Sequence, residues 1–206
     1  MEAEFYQAVS SRDYAKTVSI LLANPDLDFN NWRKESWYQS TALNIAASTN
    51  SPNIVELLLR HPRVDVNVKN GLSTTSFALS VFLGLTDVAK VFLRDSRVDV
   101  LCPNVYGNTP IFLCCLNGHT VTVKWMLASG RTFDFGAMGS TEDGLRCTPL
   151  EIARRKGFSE IFDLLGKFER NPEATRDEIW TSLGIQGSYL SFIPFSLGPA
   201  GPGFEI

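Results

Sequence analysis

The chain has 206 residues, 44% of them hydrophobic and 20% charged, with a net charge of -3, so it is globular in composition and has no basic excess for binding nucleic acid through phosphate neutralisation. No run of about 18 apolar residues appears, which excludes a membrane-spanning helix. The four cysteines are too few and too irregular for a disulfide framework, and Met1-Glu-Ala-Glu4 lacks the bases and apolar stretch of a secretory signal, so the expected compartment is reducing, cytosol or nucleus.

In chain order, Val18-Ser-Ile-Leu-Leu22 followed by Asp28-Phe-Asn30 marks a first unit over about residues 2–30. Four segments then line up: Thr41-Ala-Leu-Asn-Ile-Ala-Ala47, Thr75-Ser-Phe-Ala-Leu-Ser-Val81, Thr109-Pro-Ile-Phe-Leu-Cys-Cys115 and Thr148-Pro-Leu-Glu-Ile-Ala-Arg154. Their starts at 41, 75, 109 and 148 are 34, 34 and 39 residues apart. A second apolar-periodic stretch follows each: Ile54 to Leu59, Val88 to Leu93, Val121 to Leu127 and Ile161 to Leu165. The first two of these lead into near-identical phrases, Arg63-Val-Asp-Val66 and Arg97-Val-Asp-Val100, each read as a turn into the next unit. The units therefore run over about 2–30, 31–70, 71–103, 104–138 and 139–170.

Within a unit, the Thr hydroxyl caps a helix start, and Pro at the next position loses nothing by lacking an N–H. Small and apolar residues follow, so this first helix packs on neighbours at both sides. Gly118 and Gly157 stand at helix stops. A second, amphipathic helix closes the unit. One such pair cannot bury its own apolar face, and a stack of them makes one continuous core.

Asn104-Val-Tyr-Gly-Asn-Thr-Pro-Ile-Phe-Leu-Cys-Cys-Leu-Asn-Gly-His119 resembles the ankyrin repeat signature, and Cys147-Thr-Pro-Leu-Glu-Ile-Ala-Arg-Arg-Lys-Gly157 is similar to it. The resemblance implies an all-α solenoid of helix-turn-helix units with short β-turn fingers over about residues 2–170. The pattern departs at Ala42, Asn50, Ser73, Ser76 and Val81. The histidine expected after Thr-Pro-Leu is replaced by Asn44, Ala78, Phe112 and Glu151, so its cross-repeat hydrogen bond is expected to be lost and packing to carry more of the stability. Two fingers are long, between Asn30 and Thr41 and around Gly136 to Gly144; such insertions either line a binding face or are neutral changes of loop length.

Residues 171–184 read as a capping helix, with Asn171 and Pro172 opening it, Gly184 stopping it, and Ile179, Trp180 and Leu183 available to cover the end of the last unit. Residues 185–206 are rich in Gly and Pro and read as a flexible tail, either a ligand-like segment for another protein or a loose end.

No catalytic constellation is readable. His119 occupies a structural position of the repeat, and His61 follows a helix, where a donor can meet the last carbonyls. Cys114 and Cys115 fill small-residue helix positions and point apart, so they neither chelate nor pair. Asp134-Phe-Gly136 spells a kinase metal-binding triplet, but its companion motifs are missing and it falls where other units have Val-Asp-Val. Arg154-Arg-Lys156 reads as the polar face of the last unit.

The expected function is therefore non-catalytic: a monomeric scaffold with no cofactor and no metal, binding another protein and neither nucleic acid nor membrane. The alternative is a regulatory or adaptor subunit, or a fragment of a larger signalling protein, that recruits or inhibits an enzyme. The resemblance places on one concave face Trp37, Tyr38, Ser48, Thr49, Leu72, Phe82, Leu83, Val105, Tyr106, Leu116, Asn117, Arg155 and Lys156. The aromatics among them, Trp37, Tyr38, Phe82 and Tyr106, occupy positions the stacking core does not need, and aromatics are enriched at interface hot spots.

Overall fold

The computed structural model of the protein describes residues 2–28, 30 and 40–185. Trp37, Tyr38 and the tail beyond Ile185 lie outside the described residues. Ten helices form five successive pairs: α1 (Glu2–Ser10) with α2 (Tyr14–Ala23), α3 (Ala42–Ser48) with α4 (Pro52–Arg60), and α5 (Ser76–Phe82) with α6 (Thr86–Arg94). The next are α7 (Pro110–Leu116) with α8 (Thr120–Ala128) and α9 (Pro149–Arg155) with α10 (Ser159–Arg170). An eleventh helix, α11 (Pro172–Ser182), follows. First helices pack on first helices down the chain, α1 through α9, and second helices on second helices, α2 through α10, so the molecule is two parallel rows with one core between them.

The helix starts form as the Thr residues dictate. Thr41, Thr75, Thr109 and Thr148 each cap a first-row helix, their hydroxyls accepting the N–H of Asn44, Ala78, Phe112 and Glu151. Where the histidine of the repeat is replaced, one of the replacing residues bridges units in another way. Asn44 accepts the Thr41 N–H at 3.1 Å and donates to the Ser76 hydroxyl of the next unit at 2.8 Å, so it both caps and bridges. Glu151 closes a capping box on the Thr148 N–H at 2.9 Å. Phe112 instead faces Gly139, where a Cβ would lie 2.5 Å from its ring.

Other side chains bind each unit to the one before. The Asn30 amide donates to the Arg63 carbonyl and accepts the Asp65 N–H; Asn67 does the same with Arg97 and Asp99. Asn108 holds both backbone groups of Ser140, at 2.6 and 2.9 Å. The arginines at 63, 97 and 131, spaced by 34, all reach backwards: Arg63 to Asp26, Arg97 to the Leu59 carbonyl, and Arg131 to the carbonyls of Asp95 and Val98. Asp28, Asp65, Asp99 and Asp134 each accept the N–H two residues on, which gives Asp134-Phe-Gly136 its structural explanation as a turn. Among the described residues, no buried side-chain nitrogen or oxygen lacks a hydrogen-bond partner.

The finger turns repeat one geometry. Asn70, Asn104 and Thr141 each pair with the residue four on, and the third residue of each turn is left-handed: Ser73 (φ 52), Gly107 (φ 74) and Gly144 (φ 78). The long fourth finger carries an antiparallel pair of strands, β1 (Gly139–Ser140) with β2 (Arg146–Cys147). At the helix stops, Gly118 (φ 73) leaves no room for a side chain, since a Cβ would meet the Phe158 ring of the next unit at 2.6 Å.

The α9 face that would meet a further helix is charged. Arg154 is exposed at the register position where Ala47, Val81 and Cys115 are fully buried. Helix α11 lies on α10 and α8. Ile179 is buried, the Trp180 indole donates to the Ala128 carbonyl at 3.2 Å, and Arg176 donates to the Leu127 carbonyl. These bonds satisfy the last carbonyls of α8, as Arg97 does for α4 two units earlier.

Ile111 and Leu113 are 1% and 3% exposed in α7. Replacing either by Ala is expected to cost about 2–5 kcal/mol in urea denaturation. A loss below about 1 kcal/mol at both would contradict this register.

Candidate functional site

The fingers and the C-terminal ends of the first-row helices bound one side of the molecule. Four register positions recur there, Ser48, Phe82, Leu116 and Arg155, each followed by its helix C-cap, Thr49, Leu83, Asn117 and Lys156. Phe82 and Leu83 are 40% and 41% exposed. Ser48, Asn117, Arg155 and Lys156 are exposed; Thr49 is half-buried and tied by its hydroxyl to the Ile45 carbonyl. Leu116 is half-buried and packs partly on the core. At the finger turns Leu72 is 41%, Val105 57% and Tyr106 62% exposed.

Sequence reasoning missed three residues here. Ile45 and Leu79 are half-buried, one helical turn before Ser48 and Phe82, and so share their face. The i−3 spacing was the available signal. Met138 is 44% exposed in the fourth finger, with its carbonyl 3.8 Å from where a Gly107 side chain would begin. It belongs to the inserted residues, so no repeat position flagged it.

The two histidines are structural. The His119 Nε2–H donates to the Phe82 carbonyl at 2.9 Å, and its ring fills the space a Gly84 side chain would need. His61 is the C-cap residue of α4, and its Nδ1 accepts the Arg63 N–H at 3.3 Å. Burial, aided by the Arg63 charge, holds this imidazole below its usual pKa. His61, Asp95 and Ser129 are equivalent second-row C-caps, each accepting from the arginine two residues on.

The cysteines are free thiols. Cys114 and Cys115 are fully buried, and burial pushes Cys114 well above the ordinary thiol range and Cys115 to about 12. Neither is a nucleophile at neutral pH. A thiol-reactive dye is expected to label half-buried Cys102 in the native protein and to reach Cys114 and Cys115 only after denaturation. Early labelling of those two would contradict the packing of α7. The unfolded chain releases these protons near 9, the folded chain only higher, so stability present below pH 9 is lost as pH climbs from about 9 towards 12.

Among the described residues, no three His, Cys, Asp or Glu side chains gather as metal ligands would, and no helix is long and apolar enough to cross a membrane. A depression lies between α8, α10 and α11, away from the fingers, and its Lys124–Glu160 and Lys167–Glu178 pairs already satisfy one another.

A family model for ankyrin repeats in three copies matches residues 76–176, and a single ankyrin repeat model matches residues 38–71. The chain belongs to the ankyrin repeat family. The matches cover the four Thr-led units, and the α1–α2 pair stacks on this ankyrin array through the same two rows. Ankyrin repeats are generally protein–protein interaction modules and typically non-catalytic. In such arrays the side bounded by fingers and first-helix ends is the concave face.

Proposed function

We propose that this ankyrin array is a non-catalytic scaffold that binds a protein partner across its concave face, as a monomer, in the cytosol or nucleus. The observation that carries the reading is the exposure of Phe82 and Leu83 at the end of α5 together with that of Leu72 and Tyr106 at the finger turns. Water-exposed aromatic and aliphatic side chains in a row are costly to solvate and mark contact surfaces. The face is preformed by buried rows of helices, so little ordering opposes binding. Four free cysteines support a reducing compartment.

Phe82→Ala and Tyr106→Ala are expected to leave folding stability nearly unchanged, since both rings stand outside the core. Affinity for the partner is expected to fall by about 1–3 kcal/mol for at least one of them, measured by calorimetry. Unchanged affinity in both variants would refute the reading.

A further inference from the structure

The concave face is not chemically uniform along its length. Most cations of this chain are committed elsewhere. Lys16, Arg60, Arg63, Lys90, Arg97, Lys124 and Lys167 form ion pairs. Lys69, Arg131, Arg170 and Arg176 donate to backbone carbonyls. Among the described residues, five cationic side chains make no hydrogen bond or ion pair: Arg12, Arg146, Arg154, Arg155 and Lys156. Four of the five belong to the fourth Thr-led unit, in a chain whose net charge is negative.

Their placement is specific. Arg155 and Lys156 stand at the register positions of Phe82 and Leu83, so the row reads polar at Ser48 and Thr49, apolar through Phe82, Leu83 and Leu116, and cationic at its end. The last turn of a helix favours cations through its free carbonyls, which holds these side chains at the site without neutralising them. Two acids sit at the neighbouring finger tip, Glu142 and Asp143. Asp143 is held below the ordinary carboxylate range chiefly by the Thr141 hydroxyl, with only a minor share from Arg155. Arg155 thus stands near the tip acid but forms no ion pair with it, which leaves its guanidinium available to an incoming anion.

We infer that the partner presents an extended acidic peptide segment, with an apolar side chain seated on Phe82 and Leu83 and carboxylates meeting Arg155 and Lys156. This rests on the concave-face reading above and gives that partner its chemistry and direction. Spacing follows from geometry. Packed helices lie about 8–10 Å apart, so the two steps from α5 to α9 span about 16–20 Å. An extended chain covers about 3.3 Å per residue, which puts the acids about five or six residues from the apolar anchor.

A random peptide library displayed against the full chain tests this, followed by fluorescence anisotropy of the selected peptides. Selected sequences are expected to carry an apolar residue and a pair of Asp or Glu at about that spacing. Arg155→Glu with Lys156→Glu is expected to weaken them about tenfold or more and to steepen no further with salt, whereas Arg12→Glu leaves them within about twofold. Replacing the peptide acids by Lys is expected to restore binding to the Arg155→Glu, Lys156→Glu chain, which separates charge recognition from misfolding. Peptides without acids, indifferent to the double reversal but lost in Phe82→Ala, would overturn the inference and leave the concave-face reading standing. Peptides indifferent to Phe82→Ala as well would overturn both. Equal affinity for a single-stranded oligonucleotide would overturn the acidic-peptide inference in favour of a general anion site.

Discussion

Phe77→Ala is expected to destabilise the protein by about 3–5 kcal/mol, the range for emptying a fully buried aromatic position. Phe77 is 0% exposed in the middle first-row helix, and its ring meets Phe92 of α6 edge-on at 6.3 Å. The lost ring therefore opens a void between both rows and between adjacent units. In a stack whose units hold only their neighbours, damage at the centre weakens two interfaces at once. Urea denaturation followed by far-ultraviolet circular dichroism checks the figure. A loss below about 1 kcal/mol would mean that α5 does not sit between α3 and α7 as described.

Asp95→Ala is expected to cost about 2–3 kcal/mol. Asp95 is 0% exposed and closes α6; its carboxylate accepts the Arg97 backbone N–H at 3.0 Å and pairs with the Arg97 guanidinium at 2.6 Å. Arg97 in turn donates to the Leu59 carbonyl, so the carboxylate orders a contact to the preceding unit; Arg131 reaches the Asp95 backbone carbonyl, which the substitution keeps. Removing the carboxylate leaves a guanidinium without its counter-ion. Because Arg97 retains about a third of its side-chain surface, water softens the penalty below that of a fully buried pair. The double variant Asp95→Ala, Arg97→Ala is expected to lose less than the sum of the two single losses. Strict additivity would show that the pair does not act as a unit.

The sequence carried the helix starts plainly, because a Thr hydroxyl caps the helix it precedes and needs no distant partner. The helix stops were equally local: Asn50 takes the left-handed conformation (φ 54) where other units have Gly. Bridges between units were harder to see. The Asn44 amide has meaning only beside Ser76, 32 residues away. The period of Arg63, Arg97 and Arg131 is visible in the letters, but two of these arginines bond backbone carbonyls, and a carbonyl leaves no mark on residue type. The position of α11 was half legible. Ile179 and Trp180 announced an apolar face, while its seat on α8 as well as α10 depends on the free carbonyls of Leu127 and Ala128. On the candidate face, repeat logic located Phe82, Leu83 and Tyr106. It passed over Ile45 and Leu79 because their partial exposure depends on how far neighbouring fingers stand apart, and over Met138 because inserted residues have no repeat position.

The claim that the concave face is the binding surface is tested most directly by nuclear magnetic resonance. An amide spectrum of the isotopically labelled full chain is recorded with and without a peptide selected from the displayed library. The account predicts shift changes at Leu72, Phe82, Leu83, Tyr106, Leu116 and Lys156, with α4, α6 and exposed Val121 on α8 unmoved. Changes confined to the second-row helices, or to the depression between α8, α10 and α11, would contradict it.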